Sequence, residues 1–317
     1  MSVFTPLTRD QLEPFLAPYR LGRLRAFEGI AAGSENSNFF VSLDGGEYVL
    51  TLVERGPQAD LPFFVELLEA LHQADLPVPY ALTTETGEAL RALAGKPALL
   101  QPRLPGRHVH DPAPAHCTQV GQWLARLHLA TAGRVLERRS DRGLDWMLDA
   151  GPRLLAVLEA GPRALLEAVL GEVAAHKPAI LALPRANLHA DLFRDNVLFE
   201  AGRLTGVIDF YNACAGPMLY DVAIAVNDWC SLPDGALDPI RAEALLAGYA
   251  ALRPFVAEEA AHWPRMLRIA CVRFWLSRLI AAQAHAGQAV LIHDPAEFQQ
   301  RLVARQQVSV VLPGGAR

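Results

Sequence analysis

The stretch NLHADLFRDNVLFEAGRLTGVIDF, residues 187–210, sets four polar residues among apolar runs: His189, Asp191, Asn196 and Asp209. Asn196 directly precedes VLFE and Asp209 directly follows TGVI, with AGRL between the two runs. Two short apolar runs joined by a glycine-containing turn are typical of a β-hairpin. Because antiparallel strands lie about 4.8 Å apart, we predict that Asn196 and Asp209 are neighbours at one end of the hairpin.

These residue types indicate a magnesium-dependent reaction. A carboxylate beside an amide oxygen suits Mg²⁺, which takes its remaining ligands from water and substrate phosphates. Asp191 lies five residues before Asn196, in a polar loop at the same end, where it is placed to accept a proton from an attacking hydroxyl. Polar residues that cap a surface hairpin are the alternative, but they do not explain Asp209, which follows an apolar strand.

The pattern H-A-D-L-F-R-D-N followed by I-D-F resembles the catalytic and metal-binding loops of the kinase-like phosphotransferases. These include aminoglycoside phosphotransferases, choline kinases and bacterial homoserine kinases. The resemblance implies that Asp191 is the catalytic base and that Asn196 and Asp209 are Mg²⁺ ligands. It also implies that His189 buttresses the loop and that Asp221 braces it through hydrogen bonds.

The rest of the chain divides into a mixed part and a helical part. RLRAFEGI, NFFVSL and EYVLTLVE predict an antiparallel meander, with a short helix after Thr8, a helix opened by Asp60, and a second hairpin over residues 80–104. From Asp111 onward most segments have helical periodicity. We therefore expect an α+β, two-lobed protein-kinase-like fold with a small antiparallel-sheet N-lobe carrying one packed helix, and a larger, mainly helical C-lobe. The expected division is an N-terminal lobe over residues 1–100, a hinge over 101–107 and a C-terminal lobe over 108–317.

The nucleotide is expected in the N-terminal lobe. The polar turn in GIAAGSENSN resembles the nucleotide-covering hairpin of these families, and a polar turn without a ligand is the alternative. Its candidate residues are Gly33, Ser34, Asn36 and Asn38. The resemblance further implies that adenine lies at the hinge, where the candidates are Gln101, Arg103 and Leu104.

A departure from the kinase pattern concerns the phosphate-binding lysine. Kinase-like enzymes usually carry a Lys on the third strand, whereas the matching position here is Thr51. Arg55 shares a strand face with Thr51, so we predict that it reaches the phosphates instead. The missing lysine also supports a rival hypothesis, a catalytically inactive kinase-fold protein that only binds its ligand.

Arg194 is a further catalytic candidate, and three residues, Asp228, Arg273 and Trp275, are candidates for substrate contacts. Arg194 is expected to steady the transferring phosphate, and a solvated loop arginine is the alternative. Asp228, seven residues after Asp221, is expected to hold a substrate ammonium, although a capping or surface role fits equally well. Arg273 and Trp275 lie in the most apolar segment, where the guanidinium needs either a substrate carboxylate or an internal acid.

Several segments together resemble bacterial homoserine kinases over residues 1–305: the Thr in YVLTLVERG, the tip AAGSENSNFFV, and the segments NDWC and RFWLSRL. The resemblance implies a kinase that uses ATP and Mg²⁺ to phosphorylate the hydroxyl of L-homoserine. The product is O-phospho-L-homoserine, a step of threonine biosynthesis. An aminoglycoside or choline-type small-molecule kinase is the alternative enzyme.

Composition excludes several other functions. The net charge of −5 gives no basic footprint, so neither nucleic acid nor a membrane surface is an expected partner. The apolar segment Met266 to Ala284 is interrupted by arginines and is expected to be a buried helix. The N-terminus shows no secretory signal pattern, so we expect a cytoplasmic protein acting on a small molecule. The sequence leaves the oligomeric state open.

Overall fold

The computed structural model describes residues 3–31, 36–54, 56–284, 293–307 and 310–314. The chain divides into two compact units, one formed by Met1–Gly106 with Thr205–Ile208 and the other by Arg107–Leu204 with Asp209–Arg317. Division by composition does not anticipate that Thr205–Ile208 belongs with the first unit. This segment follows the turn of the hairpin that carries Asn196 and Asp209.

The first unit contains a five-stranded antiparallel sheet. Its strands follow the order β1-β2-β3-β5-β4, and every neighbouring pair is antiparallel. The elements of this unit are α1 (Arg9–Leu16), β1 (Leu24–Gly29), β2 (Ser37–Leu43), β3 (Gly46–Leu52), α2 (Leu61–Gln73), β4 (Arg91–Leu93) and β5 (Lys96–Pro102). The predicted meander is confirmed as β1 to β3.

The two helices of this unit begin as the sequence predicts. Thr8 and Gln11 form a capping box at the start of α1, and Leu12 and Phe15 of α1 join the sheet in one hydrophobic core. The N-cap of α2 is Asp60, and the apolar positions of this helix are buried. Because these positions recur at helical spacing, one face of α2 is apolar throughout.

The second predicted hairpin is wrong in its first half. Residues 80–90 form no strand, and pairing begins at Arg91. Thr84 explains the difference, because its backbone N–H donates to the carbonyl of Glu88 at 3.1 Å and its hydroxyl accepts from the N–H of Glu88 at 3.2 Å. A threonine hydroxyl that bonds the nearby backbone competes with strand pairing.

The second unit is mainly helical. Its elements are α3 (Pro114–Ala132), α4 (Leu144–Leu154), α5 (Ala160–Leu181), β6 (Arg185–Leu188), β7 (Val197–Glu200), β9 (Cys214–Pro217), α6 (Met218–Trp229), α7 (Pro239–Ala250), α8 (Ala257–Ala284) and α9 (Pro295–Ala304). β8 (Arg203–Val207) pairs with β7, and β6 pairs with β9 in antiparallel orientation. The predicted hairpin is therefore confirmed as β7 and β8.

Two glycines allow α3 and α7 to approach each other closely. A Cβ atom on Gly121 of α3 would lie 2.0 Å from the carbonyl oxygen of Leu245, and one on Gly248 of α7 would lie 2.3 Å from that of Thr118. No real Cβ tolerates such distances, so only glycine permits this contact. The close approach fixes the position of His128, which α3 carries into the site.

The apolar segment near the C-terminus is a buried helix, as expected. α8 buries most of its central residues, including Arg273 and Trp275. Among the described residues, no helix combines the length and the apolar character needed to cross a membrane. All four cysteines are buried, and none forms a disulfide.

Candidate active site

The loop after β6 is held by one buried carboxylate. Asp221, at the start of α6, accepts hydrogen bonds from the backbone N–H groups of His189 at 2.7 Å and Ala190 at 2.8 Å. Both Asp221 and His189 are fully buried. Ala190 has φ +60°, the left-handed region, which costs an L-residue about 1–2 kcal/mol. These hydrogen bonds oppose that cost and set the direction in which the chain enters Asp191.

A second layer of contacts holds Asp221 itself. The Nε2 atom of His128 lies 3.3 Å from Asp221 Oδ2, and its Nδ1 atom lies 2.8 Å from the hydroxyl of Tyr249. His128 belongs to α3 and Tyr249 to α7, the two helices that meet through glycines. The packing of these helices is thereby connected to the position of the catalytic loop, which we define as residues 189–196.

The side chain of Asp191 lies between an amide and a guanidinium. Its Oδ2 accepts a hydrogen bond from Asn212 Nδ2 at 3.0 Å, and its Oδ1 lies 3.8 Å from Arg273 Nη1. Arg273 Nη2 donates in turn to Asn212 Oδ1 at 3.1 Å. Since Asp191 is about 20 % exposed, one side of its carboxylate remains open to a substrate.

Sequence reasoning missed Asn212. For Arg273, it predicted either a substrate carboxylate or an internal acid as the partner of the guanidinium. Asn212 stands three residues after the aspartate of I-D-F, in a short 3₁₀ turn, and no local pattern marks it as a partner of Asp191. Burial lowers the pKa of the Arg273 guanidinium, while the charge of Asp191 raises it. Arg273 therefore has the internal acid that the sequence allowed for, and its contact with a substrate carboxylate stays a prediction.

The residues expected to bind Mg²⁺ have suitable oxygen atoms. Asn196 Nδ2 donates to the backbone carbonyl of Asp191 at 2.8 Å, so the amide nitrogen is fixed and the oxygen accepts no hydrogen bond from a described residue. Asp209 lies two residues after β8 and has φ +63° and ψ +66°, a left-handed conformation of the kind that concentrates at functional sites. One amide and one carboxylate oxygen fit Mg²⁺ when phosphates and waters complete the shell.

No richer metal site is present in the described ranges. There, no group of three or more His, Cys, Asp or Glu side chains could hold a metal ion. A metal bound by Asn196 and Asp209 would therefore take its remaining ligands from water and phosphate. The distance between these two residues stays a prediction from the hairpin.

Arg194 is held from three directions. Its backbone N–H donates to Asp228 Oδ2 at 2.8 Å, and its Nε donates to the same oxygen at 3.2 Å. Its Nη1 donates to the carbonyl of His110 at 2.9 Å. Asp228 is nearly buried and also lies 3.6 Å from Arg301 Nη1. Asp228 therefore has partners within the protein, which agrees with a structural role. Its binding of a substrate ammonium stays a prediction.

Arg194 borders a cavity of about 310 Å³. We call it the Arg194 cavity, and its walls include Arg194, Arg241, Arg301, Asp111, Ser231 and Glu297. Asp195, the next residue of the loop, is exposed. Partial desolvation of its carboxyl by neighbouring protein atoms, together with the charges of Asp228 and Asp191, raises the pKa of Asp195. The loop therefore brings acidic and basic groups into one region of the second unit.

The remaining candidate of α8 is enclosed. Trp275 is fully buried, and its indole Nε1 makes no hydrogen bond with a described residue. A substrate reaches this ring only if neighbouring side chains move. Its assignment as a substrate residue stays a prediction with no exposed surface to support it.

The nucleotide candidates of the first unit are partly described. Gly33, Ser34 and Arg55 lie outside the described residues. Thr51 is buried and its hydroxyl donates to Asn38 Oδ1 at 2.7 Å, while Asn36 Oδ1 accepts from the backbone N–H of Glu54 at 3.1 Å. Asn38 therefore connects β2 to β3, and Asn36 connects the residue before β2 to the segment after β3. Contact of the two asparagines with phosphates stays a prediction.

The hinge candidates have partners within the first unit. Gln101 Nε2 donates to the carbonyl of Pro79. The guanidinium carbon of Arg103 lies 3.9 Å from the centre of the Phe40 ring, and Leu104 is partly buried. Sequence reasoning missed an ion pair at the opposite end of β5 from the hinge, between Lys96 at the start of β5 and Glu54 just after β3. The two residues are far apart in sequence, so no motif indicates the pair.

Comparisons with known proteins agree with this architecture. A model described as "Phosphotransferase enzyme family" matches residues 26–255. A protein of Pseudomonas aeruginosa (strain LESB58) named homoserine kinase is 68% identical over 313 residues, which cover 99% of each chain. A homoserine kinase of Methylobacillus flagellatus is 42% identical over 316 residues, covering 98% of both chains.

Solved structures share the fold at low sequence identity. An amicoumacin kinase in complex with AMP-PNP, Ca²⁺ and Ami superposes with a TM-score of 0.70 and 17% identity, covering 97% of this chain and 96% of the other. A microcompartment-associated aminopropanol kinase gives a TM-score of 0.66 at 18% identity, with 94% of each chain covered. The expected kinase-like α+β fold is confirmed. The chain belongs to the phosphotransferase enzyme family and, within it, to the bacterial proteins named homoserine kinase.

Proposed function

We propose that this phosphotransferase moves the γ-phosphoryl group of ATP to the side-chain hydroxyl of L-homoserine. The product is O-phospho-L-homoserine, an intermediate of threonine biosynthesis. The observation that carries the proposal is the 68% identity to a homoserine kinase over 99% of both chains. The catalytic loop is consistent with phosphoryl transfer, because the carboxylate of Asp191 is partly exposed and is also held by Asn212.

In this reaction Asp191 orients the acceptor hydroxyl and takes its proton as the oxygen attacks phosphorus. The new bond joins the acceptor oxygen to the γ-phosphorus, and the bond to the bridging β–γ oxygen breaks, leaving ADP. Asn212 and Arg273 hold the carboxylate of Asp191 in one orientation throughout. Positioning of this kind supplies much of the catalysis in phosphoryl transfer.

Asn196 and Asp209 would hold Mg²⁺. When bound, the ion neutralises charge on the β and γ phosphates. Asn196 is suited to this task since its amide is already fixed by the Asp191 carbonyl. In the first unit, Asn36, Asn38 and the hinge residues are our candidates for nucleotide contacts, and Arg55 remains the candidate replacement for the strand lysine.

The cysteines and the net charge bear on the compartment and the partners of the protein. Four buried, unpaired cysteines agree with a reducing compartment, so we propose that the enzyme works in the cytoplasm. We propose L-homoserine, a small molecule, as its partner in catalysis. The proposal includes no nucleic acid and no membrane, in line with the net charge of −5.

The test is an assay of ADP release with Mg²⁺-ATP and, separately, homoserine, choline and an aminoglycoside as acceptors. We expect turnover with homoserine alone and a loss of about 10²- to 10⁴-fold in kcat for Asp191→Asn, the usual contribution of a general base. Asp149→Asn is the matched control, because Asp149 only forms an exposed ion pair with Arg153. Turnover of choline or the aminoglycoside instead would overturn the assignment of the acceptor, and no turnover would favour a protein that only binds.

A further inference from the structure

Of the three arginines in the Arg194 cavity, Arg194 has the most exposed side chain, at 31% against 11% for Arg241 and 6% for Arg301. Arg241 is paired with Asp238 at 2.8 Å, and Arg301 is paired with Glu297 and lies near Asp228. Arg194 uses its Nε and Nη1 atoms on Asp228 and on the carbonyl of His110. Its Nη2 makes no hydrogen bond with any described residue, and the side chain is 31% exposed.

The contacts of Arg194 prepare it to bind an anion. A guanidinium fixed from behind has already lost the rotational freedom that binding would otherwise remove. Asp228 and the His110 carbonyl determine the plane of the fork, so the remaining N–H groups point in a defined direction. Planar N–H pairs of this type fit carboxylate oxygens.

The short spacing between Arg194 and Asp191 in the loop limits the distance between the Arg194 cavity and the catalytic base. Arg194 follows Asp191 by three residues, so their Cα atoms are at most about 11 Å apart. At this spacing, the short carboxylate side chain of Asp191 and the long side chain of Arg194 can contact opposite ends of one four-carbon amino acid. The acceptor in our proposed function has its reacting hydroxyl at one end and its carboxylate at the other.

We propose that Arg194 binds the carboxylate of the acceptor amino acid in the Arg194 cavity and thereby selects an amino acid over an amino alcohol. Asp228 is then a positioning residue that orients Arg194, in place of the ammonium ligand expected from the sequence. Arg241 and Arg301 line the same cavity, but Asp238 and Glu297 offset their charges. The inference rests on the proposed function, because it takes homoserine as the acceptor.

A larger cavity in the same unit fits this role less well. It measures about 520 Å³ and is lined mainly by residues between 137 and 145, by α5 and by β9, with Lys177 and Tyr220 in its walls. None of the residues 189–196 lines it. An acceptor placed there would have no contact with the loop that carries the base.

The role proposed here differs in its kinetics from that of a residue that steadies the transferring phosphate. A carboxylate anchor acts only on acceptors that carry a carboxylate, whereas a phosphate contact acts on all acceptors. The pair L-homoserine and 3-aminopropan-1-ol separates the two, since the second molecule keeps the hydroxyl and the ammonium and lacks only the carboxylate. The informative quantity is the ratio of kcat/KM for homoserine to kcat/KM for 3-aminopropan-1-ol.

We expect Arg194→Gln to lower this ratio by about 10- to 100-fold, the range for loss of a charge-assisted hydrogen bond, mainly through the KM for homoserine. Arg194→Lys keeps the charge but loses the fork and should lower the ratio less. Asp228→Asn should lower it as well, because the guanidinium loses its orienting charge. L-2-Aminobutyrate, which lacks the hydroxyl, should inhibit the wild-type enzyme competitively and inhibit Arg194→Gln more weakly.

Equal losses for both acceptors in the two Arg194 variants, seen mainly in kcat, would overturn the inference and favour a phosphate contact. An unchanged ratio with normal turnover would overturn it as well. Both results presuppose that the wild-type enzyme phosphorylates homoserine. If it does not, the proposed function fails first, so the two failures are distinguishable.

Discussion

The catalytic loop and the Arg194 cavity belong to the same unit but are held in different ways. The backbone of the loop is fixed by the fully buried carboxylate of Asp221. Side chains of the cavity are held by ion pairs, some of which stay partly exposed, such as Arg241 with Asp238. Losing the partner of a buried donor costs more than losing a partly exposed ion pair. Loss of an ion pair in the walls of the Arg194 cavity should therefore destabilise the fold less than loss of the carboxylate that fixes the loop.

The largest expected effect tests the loop directly. Asp221→Ala leaves the buried N–H groups of His189 and Ala190 without an acceptor, at about 1–3 kcal/mol each. We expect the free energy of unfolding to fall by about 2–6 kcal/mol in urea titration, with kcat falling as well.

Asp238→Ala is the matched control for stability. Asp238 also accepts two backbone N–H groups, at Ile240 and Arg241, but as a solvent-accessible N-cap of α7. Its loss should cost about 0.5–2 kcal/mol. Equal losses for the two variants would show that burial does not distinguish the loop.

The next effect concerns the helices behind the loop. Gly121→Ala places a Cβ atom 2.0 Å from the carbonyl oxygen of Leu245, so α3 and α7 must separate. We expect a loss of about 1–3 kcal/mol, typical of overpacking, measured by thermal unfolding. The movement of His128 away from Asp221 should lower kcat in the same variant.

Gly171→Ala is the control for this change. Gly171 lies inside α5, and a Cβ atom there meets nothing within 4 Å. The change should raise stability by up to about 1 kcal/mol through helix propensity. A similar gain for Gly121→Ala would contradict the role of the α3–α7 contact.

The same contrast explains what the sequence could predict. The loop, the β7–β8 hairpin and the β1 to β3 meander leave local signals, because their residue types follow strand spacing and turn chemistry over short ranges. The Arg194 cavity joins residues from His110 to Arg301, and no period or motif connects such distant positions. Asn212 is likewise visible only once the chain folds back on Asp191. The residues of the catalytic loop were therefore predictable from the sequence, whereas the Arg194 cavity and the contact of Asn212 with Asp191 needed the three-dimensional structure.

A smaller effect is expected at Asn212. Asn212→Ala removes the amide that bonds both Asp191 and Arg273, so the base loses one of its two fixed contacts. We expect kcat to fall about tenfold, equivalent to about 1.4 kcal/mol, with little change in unfolding temperature. Steady-state kinetics at saturating ATP and homoserine measures this, and an unchanged kcat would mean that Arg273 alone orients Asp191.

The smallest expected effect concerns two alanines with a left-handed backbone conformation, one in the catalytic loop and one in a surface turn. Ala190 and Ala201 both have positive φ, +60° and +48°, but Ala190 is bound by Asp221 whereas Ala201 lies exposed at the turn between β7 and β8. Glycine relieves left-handed strain and gains freedom in the unfolded chain, so each Ala→Gly change should alter stability by less than about 1 kcal/mol. Activity should distinguish them: if Ala190→Gly lowers kcat and Ala201→Gly does not, the Cβ of Ala190 helps to orient Asp191. Equal activities would mean that the hydrogen bonds of Asp221 alone fix the loop, so the strain at Ala190 is a consequence of its geometry and not a requirement for catalysis.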